Sequence, residues 1–511
     1  MCGILFSKSN RGLVDTNKFK QALGKQEWRG PDATGVSVEV GGVHLGHVRL
    51  SILDISGRSN QPMQSSSGQY KIIYNGEIYN HLQIRENLGL KCKTLSDTET
   101  VLEAFCAIGI KAFELFDGMF SFVIYDVVSG KWWAARDRFG IKPLFMYDRN
   151  GSTFVSSETV SIRHLASCTV SDESLDEWAV IRRPIPGATF FNEISEVLPG
   201  SVICEGKFLF KMRLATECDE NTYDDAMLQD LVRESVQMHE LSDVKNVCLL
   251  SGGIDSSIIT ALSSCDRAYT VGLRGNNEIR EASETAVLLS KELKSLELEP
   301  TDLLNAWKHL IKLRGEPLSV PNEGLIYLIC NSMQADEKVV LTGEGADEVF
   351  FGYDRIYRAA AFANDEINLD SFYELYGYAP RQNASKRLDA FVENMMVGKD
   401  SIDFVEDFFL EVHLTGLLRR MDMSSMAASK EARVPFVTQK LINYMYRRPA
   451  TLRLDHKFSK IPLRNMCNNL GMPGPVNRKK IGFSSTFGGV KNRFDEYSNF
   501  RNLNLEALQW L

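Results

Sequence analysis

The 511-residue sequence predicts two fold classes in series: a layered, mainly β α+β part, then an α/β part with a parallel sheet and a helical C-terminal region. Three observations carry this. The length exceeds the roughly 250 to 300 residues at which a single hydrophobic core stops growing. Short runs of β-branched and aromatic residues, separated by turn residues, crowd the first two fifths of the chain. Beyond them, apolar strand-like runs alternate with helical patterns, the signature of a parallel sheet. The texture changes around the hairpin-like stretch EVLPGSVICEGKFLFKM, and the boundary is drawn as 1–205 and 206–511.

In the first part GGVHLGHVRLSIL, YKIIYNGEIY, MFSFVIYDVV, KWWAARD and STFVSSE read as strands. TETVLEAFCAIG reads as a helix, with Ser96 and Glu99 at capping-box spacing. In the second part the order is helix DDAMLQDLVRESVQMHEL, strand VCLL, helix SSIITALSS, strand AYTVGL, helix EASETAVLLSKEL and strand KVVLT. After about residue 354 the chain reads as helical to its end, without internal repeats.

A formal net charge of −8 and a pI near 5.7 argue against a nucleic-acid binder, which needs clustered Lys and Arg to displace counterions. No window approaches the roughly 20 apolar residues of a membrane span, and no basic start with an apolar core marks a signal peptide. A cytoplasmic protein is expected. The ten cysteines form no CxxC pair, and Cys106 and Cys248 sit in apolar runs where a small hydrophobe fits. Cys2 stands apart, directly behind the initiator methionine.

The stretch 247-VCLLSGGIDSS-257 is a strand, a Gly-Gly turn and a helix start, an arrangement that offers backbone N–H groups to an oxyanion. It lacks the Lys of a Walker loop. A second strand ends in 338-KVVLTGEGADEVFFGY-353, where Glu344, Asp347 and Glu348 crowd one loop. Parallel sheets bind ligands at this edge, and three neighbouring carboxylates call for a cation such as Mg²⁺ shared with phosphates. A solvated acidic turn is the plainer alternative.

With 429-SKEARVPF-436 and 457-KFSKIPLR-464, these segments resemble the ATP-pyrophosphatase synthetase domain of asparagine synthetases. The resemblance implies that a carboxylate attacks the α-phosphate of ATP, releasing pyrophosphate, and that ammonia then displaces AMP to form an amide. It assigns Ser251, Gly252, Gly253, Asp255 and Ser256 to pyrophosphate, Gly343 and Glu344 to the nucleotide, and Asp255 and Asp347 to Mg²⁺. Leu249, Val271 and Gly272 would border the adenosine, and Lys460 would meet the reacting phosphate. Arg478, Lys479 and Lys480 read as a solvated basic face or a general attraction for phosphate.

Cys2, 29-RGPDATG-35, 45-LGHVRLSILD-54, 74-YNGEIYN-80, 96-SDTE-99 and 136-RDRFGIKPL-144 resemble the N-terminal nucleophile (Ntn, αββα) glutaminase domain of class II amidotransferases. Loss of Met1 would leave Cys2 with a free α-amine, whose pKa near 7.7 to 8.0 suits a base for its own thiol. By the same resemblance Arg49 holds the glutamine carboxylate, Glu77 and Asp97 its ammonium, and Asn75 with the Gly76 N–H the oxyanion. Each has a structural alternative: Asn75-Gly76 as a hairpin turn, Asp97 as a helix N-cap, Arg49 as a surface strand residue. The family passes ammonia through a channel between its domains, and often forms homodimers.

The chain departs from the family's pattern at Trp28, Ser459, Ser429 and Lys430, and in 316-EPLSVPNEGLIYL-328. The expected partners are therefore glutamine, ATP and a carboxylate acceptor, with aspartate first. A sugar acid or a peptide or antibiotic precursor comes second, and a non-catalytic interaction module is the remote alternative.

Overall fold

The computed structural model describes residues 2–10, 14–212, 223–275, 277–363, 366–478 and 493–508. Met1, Lys479 and Lys480 lie outside the described residues. The first part holds twelve strands: β1 (Cys2–Ser9), β2 (Ala33–Glu39), β3 (Val43–Arg49), β4 (Met63–Gln64), β5 (Tyr70–Ile78), β6 (Gly118–Asp126), β7 (Trp132–Arg136), β8 (Phe145–Arg149), β9 (Ser152–Ser156), β10 (Ser195–Glu196), β11 (Ser201–Cys204) and β12 (Lys207–Lys211). They form two antiparallel sheets, in the orders β10-β8-β9-β1-β3-β2 and β12-β11-β7-β6-β5-β4.

Strand periodicity builds the layers. Successive side chains of a strand face opposite ways, so Ile4 and Phe6 of β1 enter the core between the sheets, beside Ile73, Val123, Trp132 and Ile203 of the other sheet. Leu5 points outward onto Phe19, Ala22 and Leu23 of the helix Thr16–Gly24. On the far side Ile72, Phe120 and Phe122 pack against Val101, Leu102 and Phe105 of the helix Asp97–Ile108. The result is helix, sheet, sheet, helix. Cys2 shares the parity of Ile4 and Phe6, so the same alternation turns its side chain towards the second sheet.

The second part has five parallel strands, β13 (Lys245–Leu249), β14 (Arg267–Leu273), β15 (Glu292–Leu298), β16 (Glu337–Leu341) and β17 (Glu431–Arg433), in the order β15-β14-β13-β16-β17. From β13 the chain moves to one side of the sheet and from β16 to the other. The crevice beyond their C-terminal ends is therefore a topological switch point, where open α/β sheets bind ligands. Both candidate loops, 251–257 and 342–348, leave from it. Among the described residues no helix is long and apolar enough to cross a membrane.

The structure differs from the sequence reading at three places. EASETAVLLSKEL is expected to be helical to Leu293, but the helix ends at Leu288 and β15 occupies Glu292–Leu298, an edge strand with an exposed, polar pattern that hides its period. Among the described residues after 354, helices and their connecting turns are joined by β17, whose three residues are too few to leave a pattern. Ser96 does cap its helix, accepting from Thr98 N at 3.2 Å, but there is no capping box. Glu99 instead accepts from Lys93 N (2.9 Å) and Thr94 N (2.6 Å), tying down the preceding loop. Asn75 and Gly76 lie inside β5, paired with Ser121 and Phe120, as the strand reading of YKIIYNGEIY expects, and not in the hairpin turn that was the alternative.

The two parts share a polar, fully buried seam. Arg29 donates from Nη1 to Glu158 at 2.6 Å and from Nη2 to Asp422 at 2.8 Å, the latter across the domain boundary. Lys142 Nζ reaches the other oxygen of Asp422 at 3.3 Å. Arg433, on β17, bonds Glu431 at 2.6 Å and Glu77 of β5 at 3.3 Å. Apolar packing continues the seam, with Met119, Phe139 and Ile141 in one cluster with Ile258, Leu341 and Phe436.

Trp132 is 1% exposed between the sheets, with its ring 5.2 Å from that of Phe6. Trp132→Ala is expected to destabilise the first domain by about 3–5 kcal/mol, the usual cost of deleting a buried large aromatic. A lowered urea midpoint for the first domain's transition checks this.

Candidate active site

Cys2, Arg49, Tyr74, Gly76, Glu77 and Asp97 line one pocket at the end of β1, β3 and β5. Register explains the meeting: Cys2 pairs with Arg49, and β1 lies against β5 across the sheet interface. The Cys2 side chain is buried, and burial pushes its thiol above the ordinary range, although the Arg49 charge opposes this. Its backbone N–H donates to Asn75 Oδ1 at 3.0 Å. That bond orients the Asn75 amide and leaves its Nδ2 buried and without a hydrogen-bond partner among the described residues. An unpaired buried donor costs about 1–3 kcal/mol, and this one belongs to the side chain that accepts from the Cys2 backbone. Gly76 is needed for space, since a Cβ there would sit 2.1 Å from Met119 O.

Glu77 and Asp97 are also brought together. Asp97 Oδ2 accepts from Tyr74 OH at 2.6 Å and Ile78 N at 2.9 Å. Burial raises the pKa of both carboxyls; for Glu77 the Asp97 charge adds to this and Arg433 opposes it. Glu77 Oε1 has no hydrogen-bond partner among the described residues. A buried acidic pair of this kind gains from an arriving ammonium group. Arg49 is 5% exposed, not a surface residue. Its Nη1 donates to Ser56 O and Asn60 Oδ1, both at 2.8 Å, and its Nη2 donates to Asp54 O at 2.5 Å. A carboxylate ligand would exchange with these loop acceptors.

His47, in the same motif as Arg49, is not a base. Burial lowers its pKa to about 3, and Nε2 donates to the Tyr74 carbonyl at 3.1 Å.

The second centre lies at the switch point. Ser251 Oγ and Ser256 Oγ are 2.9 Å apart, and Gly253 N donates to Ser251 Oγ at 3.2 Å, shaping the turn at the start of the helix Ile254–Leu262. Gly343 allows the second loop to close on it, since a Cβ would sit 2.8 Å from Ser256 N. Lys460 joins the two loops: its Nζ is 2.7 Å from Asp255 Oδ2 and 2.7 Å from Asp347 Oδ1. It is held at φ 55°, a left-handed conformation that costs a non-glycine residue roughly 1–2 kcal/mol. Gly352 makes room, because a Cβ there would lie 1.9 Å from Asp347 Oδ1 and 2.2 Å from Lys460 Cε. Leu249 and Val271 are buried at the ends of the adjacent β13 and β14, next to Gly272.

The three carboxylates of the second loop do not converge, which corrects the expectation of one acidic cluster. Glu344 pairs with Arg420 at 2.7 Å. Glu348 turns away and accepts from Tyr353 OH at 2.6 Å; burial, with the Asp347 and Glu344 charges, raises its pKa to about 8. Only Asp347 joins Asp255. Two carboxylates sharing one cation fit a Mg²⁺ site, since Mg²⁺ takes one or two carboxylates together with phosphates. Among the described residues no group of three or more His, Cys, Asp or Glu is placed to hold a metal alone.

Several partners escaped the sequence reading. Arg29 Nε donates to Cys2 O at 2.9 Å, and Arg433 reaches Glu77 from the other domain; both sit in quoted motifs, RGPD and EARVPF, but nothing local reveals their partners. Arg478 is half-buried and pairs with the exposed Glu284 at 2.9 Å. It donates to Gly252 O at 3.3 Å and Thr285 Oγ1 at 2.9 Å, buttressing the first loop. Ser459 is buried and its carbonyl accepts from Arg464 Nε at 2.8 Å. Two departures meet at the domain seam, where Ser429 Oγ donates to Trp28 O at 2.7 Å.

Comparison with known proteins finds two family matches. The family described as glutamine amidotransferase domain matches residues 1–211, and the asparagine synthase family matches residues 227–505. The chain is 27% identical to asparagine synthetase [glutamine-hydrolyzing] 1 of Bacillus subtilis, across 97% of this chain and 89% of that protein. It is 27% identical to asparagine synthetase [glutamine-hydrolyzing] 3 of the same organism, across 95% and 87%. With asparagine synthetase B [glutamine-hydrolyzing] of Escherichia coli the identity is 29%, across 65% and 60%. Motifs, fold and both matches converge: the chain belongs to the glutamine-hydrolysing asparagine synthetase family, a glutamine amidotransferase domain followed by an asparagine synthase domain.

Proposed function

We propose that the protein is an ATP-dependent ligase that hydrolyses glutamine at Cys2 and uses the ammonia to form an amide on a carboxylate acceptor, aspartate first. The observation that carries this reading is Lys460, whose ammonium lies between Asp255 and Asp347 and so links two phosphate-type loops at the switch point.

In the first domain the Cys2 amine, once Met1 is removed, takes the thiol proton. The thiolate attacks the glutamine carboxamide, and Asn75 Nδ2 with the Gly76 N–H receives the developing oxyanion. Arg49 binds the substrate carboxylate, and Glu77 and Asp97 bind its ammonium. Ammonia leaves, and water releases glutamate from the thioester. In the second domain Ser251, Gly252, Gly253 and Ser256 cradle the pyrophosphate portion of ATP, with Gly343 and Glu344 at the nucleotide, while Leu249, Val271 and Gly272 border the adenosine. Asp255 and Asp347 would hold Mg²⁺, which when bound neutralises phosphate charge. Lys460 then turns to the α-phosphate as the acceptor carboxylate attacks it. Ammonia displaces AMP from the acyl-adenylate. A domain seam closed by buried side chains supports transfer inside the protein, since ammonia released to water becomes ammonium and cannot attack.

Cys2→Ala is expected to lower glutamine-dependent synthesis by roughly 10³-fold or more while leaving synthesis from high ammonium within about twofold. Equal loss with both nitrogen sources would contradict the division of labour. Asp347→Asn should abolish pyrophosphate release with either source; activity retained in that variant would remove Asp347 from the metal site. Intact mass should show Met1 absent, and a fully glutamine-active sample that retains it would overturn the role given to the Cys2 amine.

A further inference from the structure

A cavity of about 360 Å³ opens between the two domains and shares no lining residue with the pocket of Cys2 or with the loops 251–257 and 342–348. Its volume falls in the range of about 300–1,000 Å³ typical of small-molecule sites. Phe139 and Leu198 of the first domain and Phe391, Met395, Leu410 and Ile442 of the second line it. Phe391 and Met395 lie four residues apart on the helix Lys386–Met396, and so on one of its faces. Leu198 is 44% exposed and Phe391, Met395 and Leu410 are half-buried, so much of this apolar lining is left uncovered.

Part of the wall is a π-helical turn, Phe409–His413, set between the helices Ser401–Phe408 and Leu414–Met426. Single π turns inside α-helices recur at functional sites. This one gives Leu410, Glu411 and Val412 to the cavity, while its last residue, His413, reaches Tyr353 OH at 3.0 Å.

Four charged side chains line the cavity, and two of them are already committed. Arg138 donates to Phe116 O at 2.5 Å and to Glu114 O at 2.8 Å. Asp407 accepts from Tyr446 OH at 2.9 Å and from Arg447 Nη2 at 2.8 Å. The other two, Lys211 of β12 and Glu411 of the π turn, are exposed, and neither side chain has a hydrogen bond or ion pair among the described residues. They carry opposite charges on different domains and stand farther apart than the 4.0 Å of a direct ion pair. Two opposite, unpaired charges beside an apolar cavity suit a molecule with a short zwitterionic head and an apolar tail. A fatty acid would answer Lys211 alone, and an apolar amine Glu411 alone.

We propose that this cavity binds an α-amino acid with a large apolar side chain, its carboxylate on Lys211, its ammonium on Glu411 and its side chain among Phe139, Phe391, Met395 and Leu410. Because the two charges come from different domains, the bound molecule bridges the seam and stabilises the joined arrangement. The site goes beyond the amide-forming reading and does not depend on it.

Calorimetric titration of the full-length protein with L-phenylalanine, L-leucine and L-methionine tests this, beside 3-phenylpropanoate and 2-phenylethylamine, which keep the ring and one charge each. L-Phenylalanine should bind saturably at one molecule per chain. Lys211→Met and Glu411→Gln should each weaken it at least about threefold, the scale of one solvent-exposed ion pair. 3-Phenylpropanoate should lose affinity only in Lys211→Met, and 2-phenylethylamine only in Glu411→Gln. Leu198→Trp, at an exposed position, should fill the cavity and abolish binding. L-Phenylalanine should raise the thermal unfolding midpoint of the wild type but not that of Leu198→Trp, and the three variants without ligand should unfold at the wild-type midpoint. No saturable binding of any of the three amino acids up to about 10 mM, or an affinity for L-phenylalanine within twofold of wild type in both Lys211→Met and Glu411→Gln, overturns the proposal.

Discussion

One fully buried guanidinium, that of Arg29, holds the two halves of the molecule in register. Taking a charge out of water costs several kcal/mol unless partners replace the lost hydration. Here the replacements come from three places: Glu158 of its own domain, Asp422 of the other domain and the carbonyl of Cys2 itself. Separating the domains would strand the charge, so β1 and the helix that carries Asp422 are tied together. Arg433 repeats the device in the opposite direction, reaching from β17 to Glu77 in the glutamine pocket. The pocket of Cys2 is therefore not built by one domain alone.

That arrangement gives the chemistry its order. The pocket of Cys2 sits on strand ends that face the second domain, and the loops around Ser251 and Gly343 leave from the switch point of a sheet whose last strand carries Arg433. Apolar residues of both domains fill the space beside the ionic seam, from Met119 and Ile141 to Leu341 and Phe436. Neutral ammonia is compatible with such surroundings, whereas ammonium would have to shed its hydration. The seam is therefore the proposed route between the centres, and its buried charges fix the walls rather than line an open path.

The fold and most of the two centres were legible because their signals are local. Alternating runs gave the two antiparallel sheets, and strand-turn-helix spacing marked the loops around Ser251 and Gly343. The capping-box reading of Ser96 and Glu99 failed because a side chain of equal reach found a better set of backbone donors at Lys93 and Thr94. The acidic loop was misread for a related reason: Glu344, Asp347 and Glu348 are neighbours in sequence but face Arg420, Lys460 and Tyr353 in space. β15 and β17 were missed because one is polar and exposed and the other has three residues. Long-range partners such as Asp422 for Arg29, or Trp28 for Ser429, leave no periodic trace at all.

The most direct test of the account follows the nitrogen. Synthesis with glutamine labelled at its amide nitrogen, in the presence of excess unlabelled ammonium in solution, reports whether ammonia travels inside the joined domains. The account predicts amide product that keeps nearly all of the label at saturating glutamine, and progressive loss of label when Asp422→Asn loosens the seam. Product diluted to the isotopic composition of the bulk ammonium in the wild-type protein would contradict it.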